Sequence, residues 1–322
     1  MLSATGTSAL RWFALLFSFL PLGFLTDSAA ARTVTVDCEE STISAVLKTL
    51  DPQTSNTVQV IGTCKDSVGI FDFADLTIAG LKIEGKSAAI ESNGGAPFWI
   101  VGSHVQLKNL VIDGEGGFYT VMCREFSVCR FIGNTIQNAS GDGVQIDSAD
   151  ATFYGDVIQN NASCGLNLTS ARVRVSQVTV KGTTAGTYGP GTGVEIDSGS
   201  TLVVEQLTVQ NNQGRGISLV GNSNLTNRPW TGPFTVSNNN AGGIWVAEES
   251  SADIGGATVI SNGGTDGGAG VVIDGNSEAS FWSGGTFTGN QPMDLYCGVL
   301  NGIAAAPQRA TVGVTNCPNT YK

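Results

Sequence analysis

Apolar and polar residues alternate in short bursts along most of the chain, and the stretch from Leu202 to Leu219 shows the form most clearly. Leu202 and Val204 alternate with polar-side positions, Leu207 and Val209 do the same, and Ile217 and Leu219 follow. A period of two marks strands with one buried face. Asn211, Asn212 and Gly216 stand between the last two bursts, and Asn and Gly supply the positive φ angles of tight turns. The stretch therefore predicts three short strands joined by tight corners.

The unit recurs. Gly143-Val144-Gln145-Ile146 is followed by Gly165-Leu166-Asn167-Leu168, Gly193-Val194-Glu195-Ile196, Gly216-Ile217-Ser218-Leu219, Gly243-Ile244-Trp245-Val246 and Gly270-Val271-Val272-Ile273, at spacings of 22 to 28 residues. Asn138, Asn160, Asn211 and Asn238 each precede their glycine by five residues, so two markers hold one offset. Looser copies run from Val105 to Ile112, from Val121 to Cys123 and from Phe281 to Tyr296. Three strands per repeat and no helix predict a solenoid in which every strand stacks on its equivalent in the next coil. Leucine-rich repeats would show a helical or convex half, and a left-handed β-helix a stricter hexapeptide. The fold class expected is all-β, a right-handed parallel β-helix of about ten coils, each advancing about 4.8 Å.

One short helix breaks the pattern. Ile43, Val46, Leu47 and Leu50 share a face over Ser41 to Leu50, with Ser41 or Thr42 as N-cap. It is placed to cover the open sheet edge of the first coil, as Gly298 to Lys322 is for the last. Before it, Trp12 to Leu25 is an apolar run behind the lone Arg11, and small residues follow at Ser28-Ala29-Ala30-Ala31. That is the anatomy of a secretory signal peptide, and the run is too short for a membrane span. The expected organisation is a leader over residues 1–31, then one domain: an N-terminal cap at 32–64, coils at 65–297 and a C-terminal cap at 298–322. No later segment is apolar enough to cross a membrane, so a secreted protein is expected.

The N-x4-G-apolar-x-apolar copies resemble the parallel β-helix repeat of the pectin-lyase-like superfamily, over roughly residues 60 to 297. The resemblance implies the fold firmly and an activity hardly at all, because that superfamily holds lyases, glycoside hydrolases, esterases, uronan epimerases, tailspikes and adhesins. It also implies that an extended polysaccharide would lie along the sheet that follows the repeated glycine. Particular chemistries fare worse. The chain has one histidine, His104, in Ser103-His104-Val105, which excludes the G-H-G element of galacturonan hydrolases; the D-P-H of alginate-type epimerases is absent. Asn227-Arg228-Pro229-Trp230 contains the R-P-W of pectin esterases without their paired aspartates.

Composition narrows the partners. Of 322 residues 13% are charged and 43 are glycine, with a net charge of -11, a balance typical of a turn-rich β protein. Nucleic acid is not expected, since the sequence shows no Lys/Arg stripe to neutralise phosphates. An anionic polysaccharide would be easier to hold with a bridging cation, and calcium is the one cofactor the carboxylates suggest. Seven cysteines fit an exported chain. Cys38 with Cys64, and Cys297 with Cys317, bracket the two ends and are expected to pair; Cys123 and Cys129 fit a bridge or two buried thiols equally, and Cys164 is the cysteine expected to stay unpaired.

Candidate site residues come from the strand after the repeated glycine. Its middle position faces outward, so Gln145, Asn167, Glu195, Ser218, Trp245 and Val272 form one column, flanked by Asp142, Cys164, Thr192, Arg215, Gly242 and Ala269. Lys181 to Gly191, carrying Tyr188, and Gly221 to Arg228, leading to Trp230, read as two loops flanking Glu195 and Ser218. Gln145, Asn167, Tyr188, Ser218, Trp230 and Trp245 are the expected sugar contacts. In a calcium-dependent lyase, Asp142, Asp147 and Asp197 would hold the metal, and Arg215 with Glu195 would handle the proton α to a uronate carboxylate. Two functions of different kind are open: a polysaccharide-associating protein, lyase or hydrolase in its enzymatic form, or a non-catalytic adhesive β-helix. Repetition of Asp147, Asp197 and Asp274 at the same strand end argues for turn capping before ligand binding.

Overall fold

The structure is a computed structural model and describes residues 31–227, 231–264, 268–282, 284–298, 303–305 and 311–317. All but the last residue of the expected leader lie outside the described residues. The rest winds into about eleven right-handed turns. Three parallel sheets result, here called A (12 strands), B (11 strands) and C (10 strands). The stretch that opened the pattern contributes one strand to each: Thr201–Val204 to A, Leu207–Gln210 to B and Ile217–Leu219 to C.

Alternation along each strand puts one file of side chains inside and one outside. Val173, Leu202 and Leu225 are register partners in successive coils of sheet A, and all are buried. Phe131 and Phe153 are likewise partners, with rings stacked 4.4 Å apart at an interplanar angle of 7°. The spacing of paired strands thus becomes the stacking distance of the core. Each fully buried Leu, Ile or Phe adds about 1.5–3 kcal/mol of transfer free energy.

The corners carry a second set of stacks. Asn138, Asn160, Asn211 and Asn238 have left-handed φ values of 64°, 55°, 57° and 55°, as their turn positions require. The internal amide ladder lies one residue further along than those markers. Asn212 Nδ2 donates to Asn239 Oδ1 (2.8 Å), Asn239 Nδ2 to Asn262 Oδ1 (2.8 Å) and Asn262 Nδ2 to Asn290 Oδ1 (3.0 Å), all buried. A parallel ladder at another corner runs through Ser200, Ser223, Ser250 and Ser277, each hydroxyl accepting the backbone N–H of the preceding member. Gly216 differs from the expectation of a positive φ. It has none; a Cβ there would lie 2.6 Å from Val236 Cγ1 and 2.7 Å from the Gly243 carbonyl oxygen. The repeated glycine is required by close approach of the next coil, not by turn geometry.

At the N-terminal end the helix is shorter than expected, Ile43–Leu47, with Thr42 Oγ1 accepting from Ala45 N (3.1 Å) as N-cap. Ile43, Leu47 and Leu50 are buried, and Asp66 accepts both Ser44 N and Ser44 Oγ at 2.8 Å, fastening the helix beside the first strand of sheet C, Val68–Phe71. The segment expected as cap at 32–64 also supplies the first strands of sheets A and B, and Ile303–Ala305 and Thr311–Val312 extend the same sheets at the far end. Disulfides join Cys38 to Cys64, Cys123 to Cys129 and Cys297 to Cys317; Cys164 is free and buried. Among the described residues no helix is long and apolar enough to cross a membrane.

Candidate functional site

The outer face of sheet C carries the column read from the repeat. Met122, Gln145, Asn167, Glu195, Ser218, Trp245 and Val272 are successive register partners, continued upstream by Trp99 and downstream by Tyr296. Although they face outward, Gln145 and Ser218 are only 9% and 4% exposed. Neighbouring side chains cover these two positions, whereas Asn167, Glu195 and Trp245 are half-buried and Trp99 is exposed.

Along this face two carboxyl groups converge on one sulfur. The Cys164 thiol donates to Glu195 Oε2 at 3.0 Å and also bonds the carboxylate of Asp142. Asp142 Oδ1 accepts from Cys164 N (3.1 Å) and Oδ2 from Asn167 Nδ2 (2.9 Å). Burial is the largest influence on Asp142 and pushes its pKa up to about 6, against the hydrogen bonds that favour the ionised form; the Glu195 charge pushes the same way as burial. Burial, followed by the charges of Glu195 and Asp142, drives the Cys164 thiol upward, so it stays protonated and serves as a hydrogen-bond donor. Tyr119 stands one coil before Asp142 in the same flanking row. Its phenol pKa is raised by burial and by Asp142.

Aromatic residues gather on one flank of this face and within the column itself. Phe118 packs edge-on against Tyr119 (4.4 Å) and Tyr188 (4.8 Å), so the Lys181 to Gly191 loop does reach this face; Tyr188 is 74% exposed. Further along, the Arg215 guanidinium lies 3.6 Å over the Trp245 ring, beside a cavity of about 250 Å³ that Tyr296 and Asp274 also line. Trp99 faces Arg124 at 5.8 Å, and Arg124 pairs with Asp147 at 3.8 Å.

Several expectations change here. Glu195 and Arg215 form no ion pair: Glu195 turns back to Cys164, and Arg215 turns forward over Trp245. A guanidinium does not give up its proton in a protein, so Arg215 suits an anion better than it suits the base role expected of it. Gly221 to Asn227 is not an inserted loop, since Asn224–Asn227 is the regular sheet A strand of its coil, and Arg228 and Trp230 lie outside the described residues. Asp142 and Asp147 sit at opposite ends of one strand, about 16 Å apart at 3.3 Å per residue. Asp147 Oδ1 accepts from Ser148 Oγ, Asp197 from Ser198 N and Asp274 from Gly275 N, which is turn capping. The three expected calcium ligands, Asp142, Asp147 and Asp197, therefore do not converge on one ion, and no group of three or more His, Cys, Asp or Glu among the described residues is placed to hold a metal. Tyr119 and Trp99 are the site residues that sequence reading missed. Carrying the column one or two coils upstream through the looser copy at Val121 to Cys123 would have found both.

Three sheets of stacked parallel strands define a β-solenoid of the pectin-lyase-like type. The family described as right handed beta helix region matches residues 119–281, and the chain belongs to that family. Comparison with curated proteins gives no match. Among solved structures, the Azotobacter vinelandii mannuronan C-5 epimerase AlgE4 A-module is similar with a TM-score of 0.55 at 12% identity, over 82% of this chain and 91% of its own. The AlgE6 A-module of the same organism is similar with a TM-score of 0.53 at 13% identity, over 88% and 99%. At these identities the likeness is one of fold.

Proposed function

We propose that this is an exported carbohydrate-active protein that binds an extended polysaccharide along the outer face of sheet C and uses Asp142 as its acid–base group. The observation that carries the reading is the position of Asp142: a carboxyl with a pKa of about 6, beside the Tyr119 phenol, with Glu195 held across a shared thiol. A carboxyl tuned to that range can give or take a proton near neutral pH, and a second carboxylate close by is what glycosidic cleavage requires. Trp99, Tyr188 and Trp245 offer ring faces for sugars, and Arg215 offers a cation for a uronate carboxylate. Three disulfides support export.

The two structural neighbours act on mannuronan by name, which makes a uronan the first substrate to try. The test is a panel of uronans and neutral glycans, read for reducing ends, for unsaturated uronate absorbance and, by proton NMR, for inversion at C-5. Asp142→Asn is expected to lower turnover by about 10²–10⁴-fold, the usual share of a general acid–base group, while binding persists. A second reading rests on the two hydrogen bonds that Asp142 accepts, which would suit a structural carboxylate in a binding-only protein. Binding with no turnover of any panel member would favour that reading and defeat the catalytic one.

A further inference from the structure

The other exposed flank of the solenoid has a different character. Sheet C carries Asp142, Asp147, Glu195, Asp197 and Asp274 against Arg124 and Arg215, whereas four successive strands of sheet A, His104–Lys108, Val128–Ile132, Asp150–Tyr154 and Arg172–Ser176, display Lys108, Arg130, Arg172 and Arg174 against one acid, Asp150. All five are exposed. Register brings them together: Arg130, Thr152 and Arg174 are partners in one column, and Asp150 and Arg172 are partners in the next. Glu205 meets Arg174 at 3.6 Å at the margin of the patch, a weak exposed pair. In a chain of net charge -11 this is a local excess of positive charge.

The patch is concave and partly aromatic. A depression of about 520 Å³ at the corner between sheets C and A and another of about 430 Å³ on sheet A share Asp150, Arg172 and Thr201, so they run together across several coils. Phe126 stands at the corner end, 88% exposed, with a left-handed φ of 62° that bulky residues rarely adopt. The Cys123–Cys129 disulfide closes the loop that carries Phe126. Tyr154 is 50% exposed on the sheet face. The left-handed backbone belongs to the corner, since Gly199, Asn222, Glu249 and Asn276 adopt it at the equivalent place in later coils; what sets Phe126 apart is a large apolar ring left in solvent beside the depression.

We propose that this face of sheet A is a second binding surface, and that its ligand is an anionic polysaccharide. A groove crossing several coils fits a linear chain, ring faces at Phe126 and Tyr154 fit sugar faces, and Arg130, Arg172 and Arg174 fit its carboxylate or sulfate groups. The proposal is independent of catalysis on sheet C and uses none of its residues.

Affinity electrophoresis tests it, in gels containing polygalacturonate, dextran sulfate, neutral dextran or double-stranded DNA, at low and high salt. The wild-type protein is expected to be retarded by one or both anionic polysaccharides, more strongly at low salt, and not by dextran. The polygalacturonate and dextran sulfate arms distinguish carboxylate from sulfate as the recognised group. Arg172→Ala/Arg174→Ala and Phe126→Ala should each weaken retardation about tenfold, whereas Lys65→Ala, a surface charge change elsewhere, should not. These positions are exposed, and circular dichroism of each variant confirms folding. Equal migration of wild-type protein in all four gels would overturn the proposal, as would retardation by DNA alone. Retardation that survives the sheet A variants but is lost in Trp245→Ala would also overturn it, by placing the binding on sheet C. A dimer in sedimentation that the sheet A variants dissolve, without change in retardation, would make the surface a contact between two copies instead. Turnover by Asp142 is read in a different assay, so either proposal can fail alone.

Discussion

Replacing Asp142 by Asn removes the one titrating group whose tuning the proposed chemistry depends on, and the change can be measured without knowing the substrate. Burial lifts this carboxyl from its ordinary 3.8 to about 6, so between those values the folded protein keeps a proton that the unfolded chain has released. Where the folded state binds more protons, stability falls as pH rises. The contribution is therefore intact below about pH 3, is lost progressively as pH rises through the two values, and levels off by about pH 7. An interval of that width is worth about 3 kcal/mol at 1.36 kcal/mol per pKa unit. Asp142→Asn does not titrate there, so its stability relative to wild type should climb by about 2.5 kcal/mol between pH 4 and pH 7, most of the full interval. Any fixed loss from the altered hydrogen bonds to Cys164 N and Asn167 shifts the whole curve and leaves its slope. Asp156, also buried and raised to about 6, is present in both proteins and cancels. Urea unfolding of the pair at half-unit steps of pH, followed by circular dichroism, is the assay. Curves that run parallel within about 1 kcal/mol, or a variant that loses stability relative to wild type as pH rises to 7, would refute the argument.

Other perturbations address the scaffold and the thiol. Asn239→Ala leaves Asn212 N and Nδ2 without their acceptor inside the solenoid and should cost about 4 kcal/mol, seen as roughly 10³-fold faster hydrogen exchange in that coil; a loss under 1 kcal/mol would mean the ladder is dispensable. Gly216→Ala forces a methyl against Val236 and the Gly243 carbonyl and should lower the thermal midpoint, whereas Gly199→Ala, with open space at its Cβ, pays only for its φ of 74°; equal losses would contradict close approach as the reason for the repeated glycine. Cys164, buried and held protonated, should resist thiol reagents at pH 8 in the native protein and react fully in urea; rapid native labelling would show the thiol is less enclosed than described.

Much of this architecture was legible before any coordinate. In a solenoid each coil contacts only its neighbours, so a local repeat is also the global fold, and alternation at Leu202, Val204, Leu207 and Val209 states both the strand and the face it buries. The same property made the outward column from Gln145 to Val272 readable as a list of neighbours in space, and two of the disulfides readable as clips at its ends. What the sequence left open was decided by side-chain direction and depth. Glu195 and Arg215 are neighbours in the list, yet one turns back to Cys164 and the other forward to Trp245, a choice of rotamer that no spacing encodes. Asp142 and Asp147 look alike as aspartates flanking one strand, yet one is buried with a displaced pKa and the other caps an exposed turn, because desolvation depends on what roofs them. The basic patch escaped notice for a related reason. Lys108, Arg130, Arg172 and Arg174 are scattered among acidic residues along the chain, and only the winding of the coils brings them onto one face with Asp150 as the one acid of those strands.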